Sequence, residues 1–210
     1  MLLREDDIKQ LDRKYRLNLI NSVTGVKPAN LIGTRSELHQ DNLAIFSSVV
    51  HLGSHPAQIG MVTRPQRGTL KDTYANILAT GKYTINHVTE SFIEQAHYTS
   101  AKLEKEESEF DRMNIEREFI DGFFAPFVAR SSIKLGMRLL KTISLPNECI
   151  FIVGEVEIAL IPDNSINEIG QLDLETDATV GISGLNSYYS LKKIATFPYV
   201  RSNEIPDFNG

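Results

Sequence analysis

The stretch Cys149-Ile150-Phe151-Ile152-Val153-Gly154-Glu155-Val156-Glu157-Ile158-Ala159-Leu160-Ile161 decides the fold class. In an extended chain Val153, Glu155, Glu157 and Ala159 share one side, opposite Ile152, Val156, Ile158 and Leu160. That pattern predicts a long strand with one wet face. A second run rich in branched apolar residues, Val128 to Ser144, precedes it. The Leu145-Pro146-Asn147-Glu148 link between them carries the residues of a hairpin connection.

Working outward, further strands are expected at Ala29–Thr34, Asn42–His51, Gln58–Thr63 after the His55-Pro56 turn, and Tyr83–Val88. Arg35 to Asp41 is a polar connection. Helical spacing is confined to three places. Ile8, Leu11, Tyr15 and Leu19 make one apolar stripe from Glu5 to about Leu19, broken by Gly25 and Pro28. Leu70, Tyr74, Ile77 and Leu78 fall on one face of a helix from about Asp72 to Thr80, with Gly81 as its stop. Ser91-x-x-Glu94 reads as a capping box opening a helix that carries Phe92, Ile93 and Ala96. Lys102 to Glu118 mixes both charge signs and is expected to be a solvated loop or exposed helix. A doubly wound parallel sheet fits less well, because helices do not alternate with strands along the chain. The expectation is a mainly β single domain over 1–210: a closed or partly closed barrel with peripheral helices, residues 1–25 forming a helical extension.

Composition narrows the function. Twenty-two cations against 27 anions leave a net charge of −5, unsuited to a nucleic-acid backbone or an anionic membrane surface. One cysteine, Cys149, allows no intrachain disulfide and no thiolate zinc site, and is expected to be a buried structural residue. The N-terminus lacks the apolar core of a secretory signal, and no apolar run approaches a membrane span, so a cytoplasmic protein is expected. No metal site is expected from His39, His51, His55, His87 and His97: only His51 and His55 are four apart, and they straddle the Gly53/Pro56 turn. No Gly-rich dinucleotide fingerprint or phosphate-binding loop occurs, and Gly181-Ile182-Ser183-Gly184 lacks the spacing of a nucleophile elbow.

Two stretches carry chemistry. Met61 to Lys71 holds three cations and no anion in an otherwise acidic chain, and a helix begins directly after it. Free N–H groups at a helix start, the Thr73 hydroxyl, Arg64 and Lys71 together make an anion cradle. The plainer reading is a surface loop with Asp72 as a helix cap. The second stretch, Asn42-Leu43-Ala44-Ile45-Phe46-Ser47-Ser48-Val49-Val50-His51, puts consecutive serines inside an apolar strand, where each must find a hydrogen-bond partner. An aromatic ring followed by small hydroxyls suits a flat, polar-edged ligand close to the backbone. A strand end exposing both serines to water is the alternative.

Asn42-Leu43-Ala44-Ile45-Phe46-Ser47-Ser48, then Pro56-x-x-Ile59-Gly60, Arg64-Pro65, Lys71-Asp72-Thr73-x-x-Asn76-Ile77 and Gly81-x-Tyr83-x-Ile85-Asn86 follow one another in an order that resembles the flavin reductase-like FMN-binding split-barrel family, the flavoredoxin group. Ser108-Glu109-Phe110 looks like a further family element. The resemblance implies a split barrel that dimerises, with FMN held non-covalently near the subunit interface. By position, Phe46, Ser47, Ser48 and Val49 would line the isoalloxazine and ribityl part, largely through backbone groups, and Thr63, Arg64, Lys71 and Thr73 would hold the phosphate. Asn86 and His87 would fall near a cofactor-proximal strand end, although His87 serves equally as a structural histidine facing the barrel. A ring contact from Tyr188 or Tyr189 is a hypothesis of the same kind. The implied activity is an FMN-dependent oxidoreductase taking electrons from NADH or NADPH to free flavin or another acceptor, with no catalytic residue required of the protein. An FMN-binding electron carrier or flavin store is the alternative, and a structural barrel without cofactor a third.

Overall fold

The computed structural model describes residues 1–66, 72–104 and 106–208. Its helices are α1 (Glu5–Gln10), α2 (Arg13–Ser22), α3 (Asp72–Thr80), α4 (Ile93–Tyr98) and α5 (Glu109–Arg112). The strands are β1 (Lys27–Pro28), β2 (Asn30–Arg35), β3 (Asp41–Phe46), β4 (Val50–Ser54), β5 (Ala57–Thr63) and β6 (Lys82–His87). After them come β7 (Arg117–Glu118), β8 (Phe127–Val128), β9 (Lys134–Ser144), β10 (Ile150–Leu160), β11 (Val180–Ser183) and β12 (Ser187–Ser190). The chain is mainly β. Among the described residues no helix is long and apolar enough to cross a membrane.

Seven strands form one sheet in the order β3-β2-β6-β9-β10-β5-β4, every neighbouring pair antiparallel. Its two edges, β3 and β4, are consecutive in the chain and joined only by Ser47–Val49. Laid flat, seven strands at about 4.8 Å spacing would set those edges about 29 Å apart. Four Cα–Cα steps reach at most about 14 Å. The sheet therefore curls until its edges meet, giving an open barrel whose seam lies at Ser47–Val49.

Alternation sorts the core into two faces. Leu31 of β2 joins Leu43, Val88, Phe92, Phe110 and Val180 on the outside of the sheet. Its neighbour Ile32 joins Met61, Tyr83, Ile85, Met137 and Ile152, with Tyr74 and Ile77 of α3, in a second cluster on the opposite face. The β9–β10 hairpin forms as the sequence predicts, and the wet face of β10 carries Glu155 and Glu157, paired with Arg138 and Lys82. A register shift between Val153 and Gly154 sits under the Tyr83 hydroxyl, where any Cβ on residue 154 would collide.

Several expectations are corrected. The strand expected over Asn42–His51 breaks at the seam into β3 and β4. Val128–Ser144 is likewise two strands, β8 and β9. The single N-terminal helix is two, because Asp12 accepts the N–H groups of Lys14 (2.9 Å) and Tyr15 (3.0 Å) and starts α2 afresh; neither helix buries a residue. Ser91 caps nothing: it lies in a 3-10 turn, its hydroxyl 2.9 Å from that of Thr89. Cys149 is half-buried at the hairpin turn rather than in the core. Within the segment expected to be solvated, Glu109, Phe110 and Ile115 are buried. Of the stripe predicted for α3, Tyr74 and Ile77 are buried, Leu78 is exposed, and Leu70 lies outside the described residues.

Candidate functional site

At the seam, the backbone N–H groups of Ser47, Ser48 and Val49 make no hydrogen bond among the described residues. What holds the seam is a side chain. The Ser48 hydroxyl donates to the Val62 carbonyl (2.8 Å) and accepts the Val62 N–H (3.1 Å), taking the place of a strand neighbour for β5. Phe46 and Val49 pack against the inner cluster on either side. The result is three successive half-buried backbone donors beside an aromatic ring, an arrangement that fits the polar edge of a flat heterocycle.

At the other end of β3, Asn42 donates to Thr73 (3.0 Å) and Thr34 (3.3 Å), and Asn76 donates to Thr34 (3.1 Å). These bonds pin the first turn of α3 to β2 and β3. Thr73 is buried at 8 % exposure, and because its hydroxyl oxygen accepts from Asn42, its O–H remains a donor. Four strand steps lead from Asn42 to Phe46, a rise of about 13 Å. A ligand with a flat ring at one end and an anion at the other matches that spacing. The cavity of about 60 Å³ beside this network is lined by Asp41, Asp72 and Glu107, so an anion is excluded from it by charge.

Thr63 and Arg64 follow Val62 directly. Thr63 is buried, its hydroxyl accepting from Gln66 at 3.3 Å, while Arg64 is exposed and has no ion-pair partner among the described residues. Lys71, the other predicted phosphate cation, lies outside the described residues. Asn86 is fully buried with its amide fully engaged: its nitrogen donates to Leu31 (3.1 Å) and Thr84 (2.8 Å), and its oxygen accepts from Val128 (3.0 Å). It fixes β6 to its neighbours. His87 pairs in register with Asn30, which pairs in turn with Phe46, so these three form one row across the sheet. Burial pushes His87 down to about 4, against the opposing pull of Asp177. Tyr188 turns instead to the outer cluster, its hydroxyl 3.1 Å from His97 Nδ1, and burial pushes it up to about 12; Tyr189 is exposed.

Sequence reasoning gave no role to two residues here. Glu109 is buried and accepts the Leu43 N–H at 3.0 Å, tying α5 to β3, and burial raises its carboxyl above the usual range. Asn30 is 1 % exposed in a row that otherwise reads as plain strand. A cleft of about 640 Å³ between Gln95, Asn114, Arg117 and Arg130 contains none of the predicted site residues.

Comparison with known proteins bears on this geometry. Residues 26–172 match the model of the flavin reductase like domain. A crystal structure described as a flavin reductase with a split-barrel domain, from Shewanella frigidimarina, superposes with a TM-score of 0.91 at 42% identity, covering 95% of this chain and 100% of that one. Nitrilotriacetate monooxygenase component B from Bacillus cereus shares the fold at a TM-score of 0.83 and 17% identity, covering 94% of this chain and 98% of that one. An uncharacterised protein of Aquifex aeolicus is 24% identical over 183 residues, which is 87% of this chain and 92% of the relative.

Proposed function

The chain belongs to the flavin reductase-like family, and from that premise we propose that it is an oxidoreductase working through non-covalently bound FMN, reduced by NADH or NADPH and reoxidised by free flavin or another acceptor. The observation that carries the reading is the seam: three unpaired backbone donors beside Phe46 at one end of β3, and the Thr73 hydroxyl at the other. When bound, FMN supplies hydride and electron transfer. The chain's own residues bind and orient. Phe46 and Val49 give the ring an apolar surface, and the N–H groups of Ser47, Ser48 and Val49 meet its polar atoms. Ser48 keeps that backbone in place through Val62, and Arg64, Lys71 and Thr73 hold the phosphate. The reading includes a second copy of the chain at the seam, supported by exposed Val50 and Leu52 on the adjacent edge strand.

The test is turnover. Purified protein supplied with FMN should oxidise NADH or NADPH when free flavin or a ferric acceptor is present. Flavin binding without nicotinamide oxidation, across both donors and several acceptors, would leave an electron carrier in place of a reductase.

A further inference from the structure

The row Phe46–Asn30–His87 ends among buried polar atoms that have no partners. Among the described residues neither the nitrogen nor the oxygen of the Asn30 amide makes a hydrogen bond, and His87 Nδ1, Thr179 Oγ1, Ser132 Oγ and one Asp177 carboxylate oxygen are equally unpaired. Backbone bonds bring these groups together. Val88 donates to Ala29, Ala29 to Val180 and Val180 to Val88, so Asn30, His87 and Thr179 flank a single junction. Ser132 sits between Ser131, whose hydroxyl donates to the His87 carbonyl, and Ile133, whose carbonyl accepts the His87 N–H. Ala29 and Val88 point into the outer cluster, so Asn30 and His87 alternate onto the face of Ile32 and Ile85, the same face as Phe46. Native folds leave few buried groups unsatisfied, and a concentration of them in one place asks for a ligand.

The chemistry of the set selects that ligand. An amide, two hydroxyls, an imidazole kept neutral by burial and a carboxylate oxygen offer donors and acceptors without a cation, so the set does not suit a phosphate. A neutral edge carrying N–H and C=O in one plane suits it. A carboxamide meets such an edge with two bonds at once, as asparagine does on adenine. On a flavin ring that edge is the imide of the pyrimidine side; the dimethylbenzene side offers no hydrogen-bonding atom. We propose that Asn30, with His87 and Thr179 beside it, recognises the imide edge of the isoalloxazine. The proposal rests on the FMN reading above. The turn carrying Asp177 and Thr179 is held by Ser165, whose hydroxyl donates to Asp177 at 2.8 Å.

The test titrates wild type and Asn30→Leu with FMN and with FMN methylated at the imide nitrogen, following flavin fluorescence, and melts both proteins without ligand. Wild type should prefer FMN tenfold or more. Asn30→Leu should bind both flavins alike at the weaker affinity, yet melt no lower than wild type, because the replaced amide had no partner. Equal affinity of wild type for the two flavins overturns the proposal whatever the variant does, and so does a variant that keeps the full preference. Failure of wild type to bind either flavin defeats the FMN reading itself, a distinguishable result.

Discussion

Ser48 and Val62 exchange two hydrogen bonds through one hydroxyl, which receives the Val62 N–H and donates to the Val62 carbonyl. The side chain thereby replaces a strand at the place where the barrel fails to close. The neighbouring backbone is left with unpaired donors because a hydroxyl, not a main chain, makes the join.

Replacing Ser48 with Ala removes both bonds and leaves the Val62 N–H and carbonyl half-buried without partners. The expected cost is about 1–3 kcal/mol, read as a lower denaturant midpoint. Ser47→Ala, whose hydroxyl makes no such exchange, should cost less than half as much. Equal losses would mean that the seam is held in another way.

Glu109 accepts the Leu43 N–H from a buried position where its carboxyl is raised by desolvation. Glu109→Gln keeps an acceptor without the buried charge and should be at least as stable as wild type at pH 7. Glu109→Ala orphans the N–H and should lose about 1–3 kcal/mol. Chemical denaturation of the pair checks this, and a Gln variant as weak as the Ala variant would refute it.

Burial holds His87 near 4 in the folded chain, against 6.5 as its ordinary value. Between those values the unfolded chain binds more protons, so folding stability rises with pH through that window. The contribution is complete above pH 6.5 and is lost as pH falls toward 4, at most about 3 kcal/mol. His87→Leu should flatten the stability profile relative to wild type between pH 4 and 6.5. Parallel profiles would show that His87 is solvated.

How much of this was legible in the chain depended on period and on partners. The β9–β10 hairpin and the wet face of β10 were readable because Glu155 and Glu157 alternate with apolar neighbours. The break at Ser47–Val49 was not, since Asn42 to His51 reads as one continuous strand and only the return of the sheet on itself cuts it. The oddity of two serines was visible; that one of them bonds Val62, 14 positions on, was not. Glu109 stood out only within the family-like Ser108-Glu109-Phe110 element; its role did not, because nothing local announces an acceptor for a distant strand. Asn30 gave no signal at all: its isolation appears only when β6 and the 179–180 segment close around it.

Arg64 is exposed and has no ion pair among the described residues, so removing it should leave the fold intact. Arg64→Ala should weaken FMN binding about tenfold to a hundredfold, the loss of a charge-assisted contact of about 1.5–3 kcal/mol, with an unchanged melting temperature. Unaltered FMN affinity would put the phosphate elsewhere.

In the proposed function a flavin nucleotide lies along β3 with its phosphate gripped at the far end from the ring. The decisive measurement compares the affinities of the intact protein for FMN and for riboflavin. FMN should bind at least tenfold tighter; equal affinities would mean that nothing in the protein grips the phosphate.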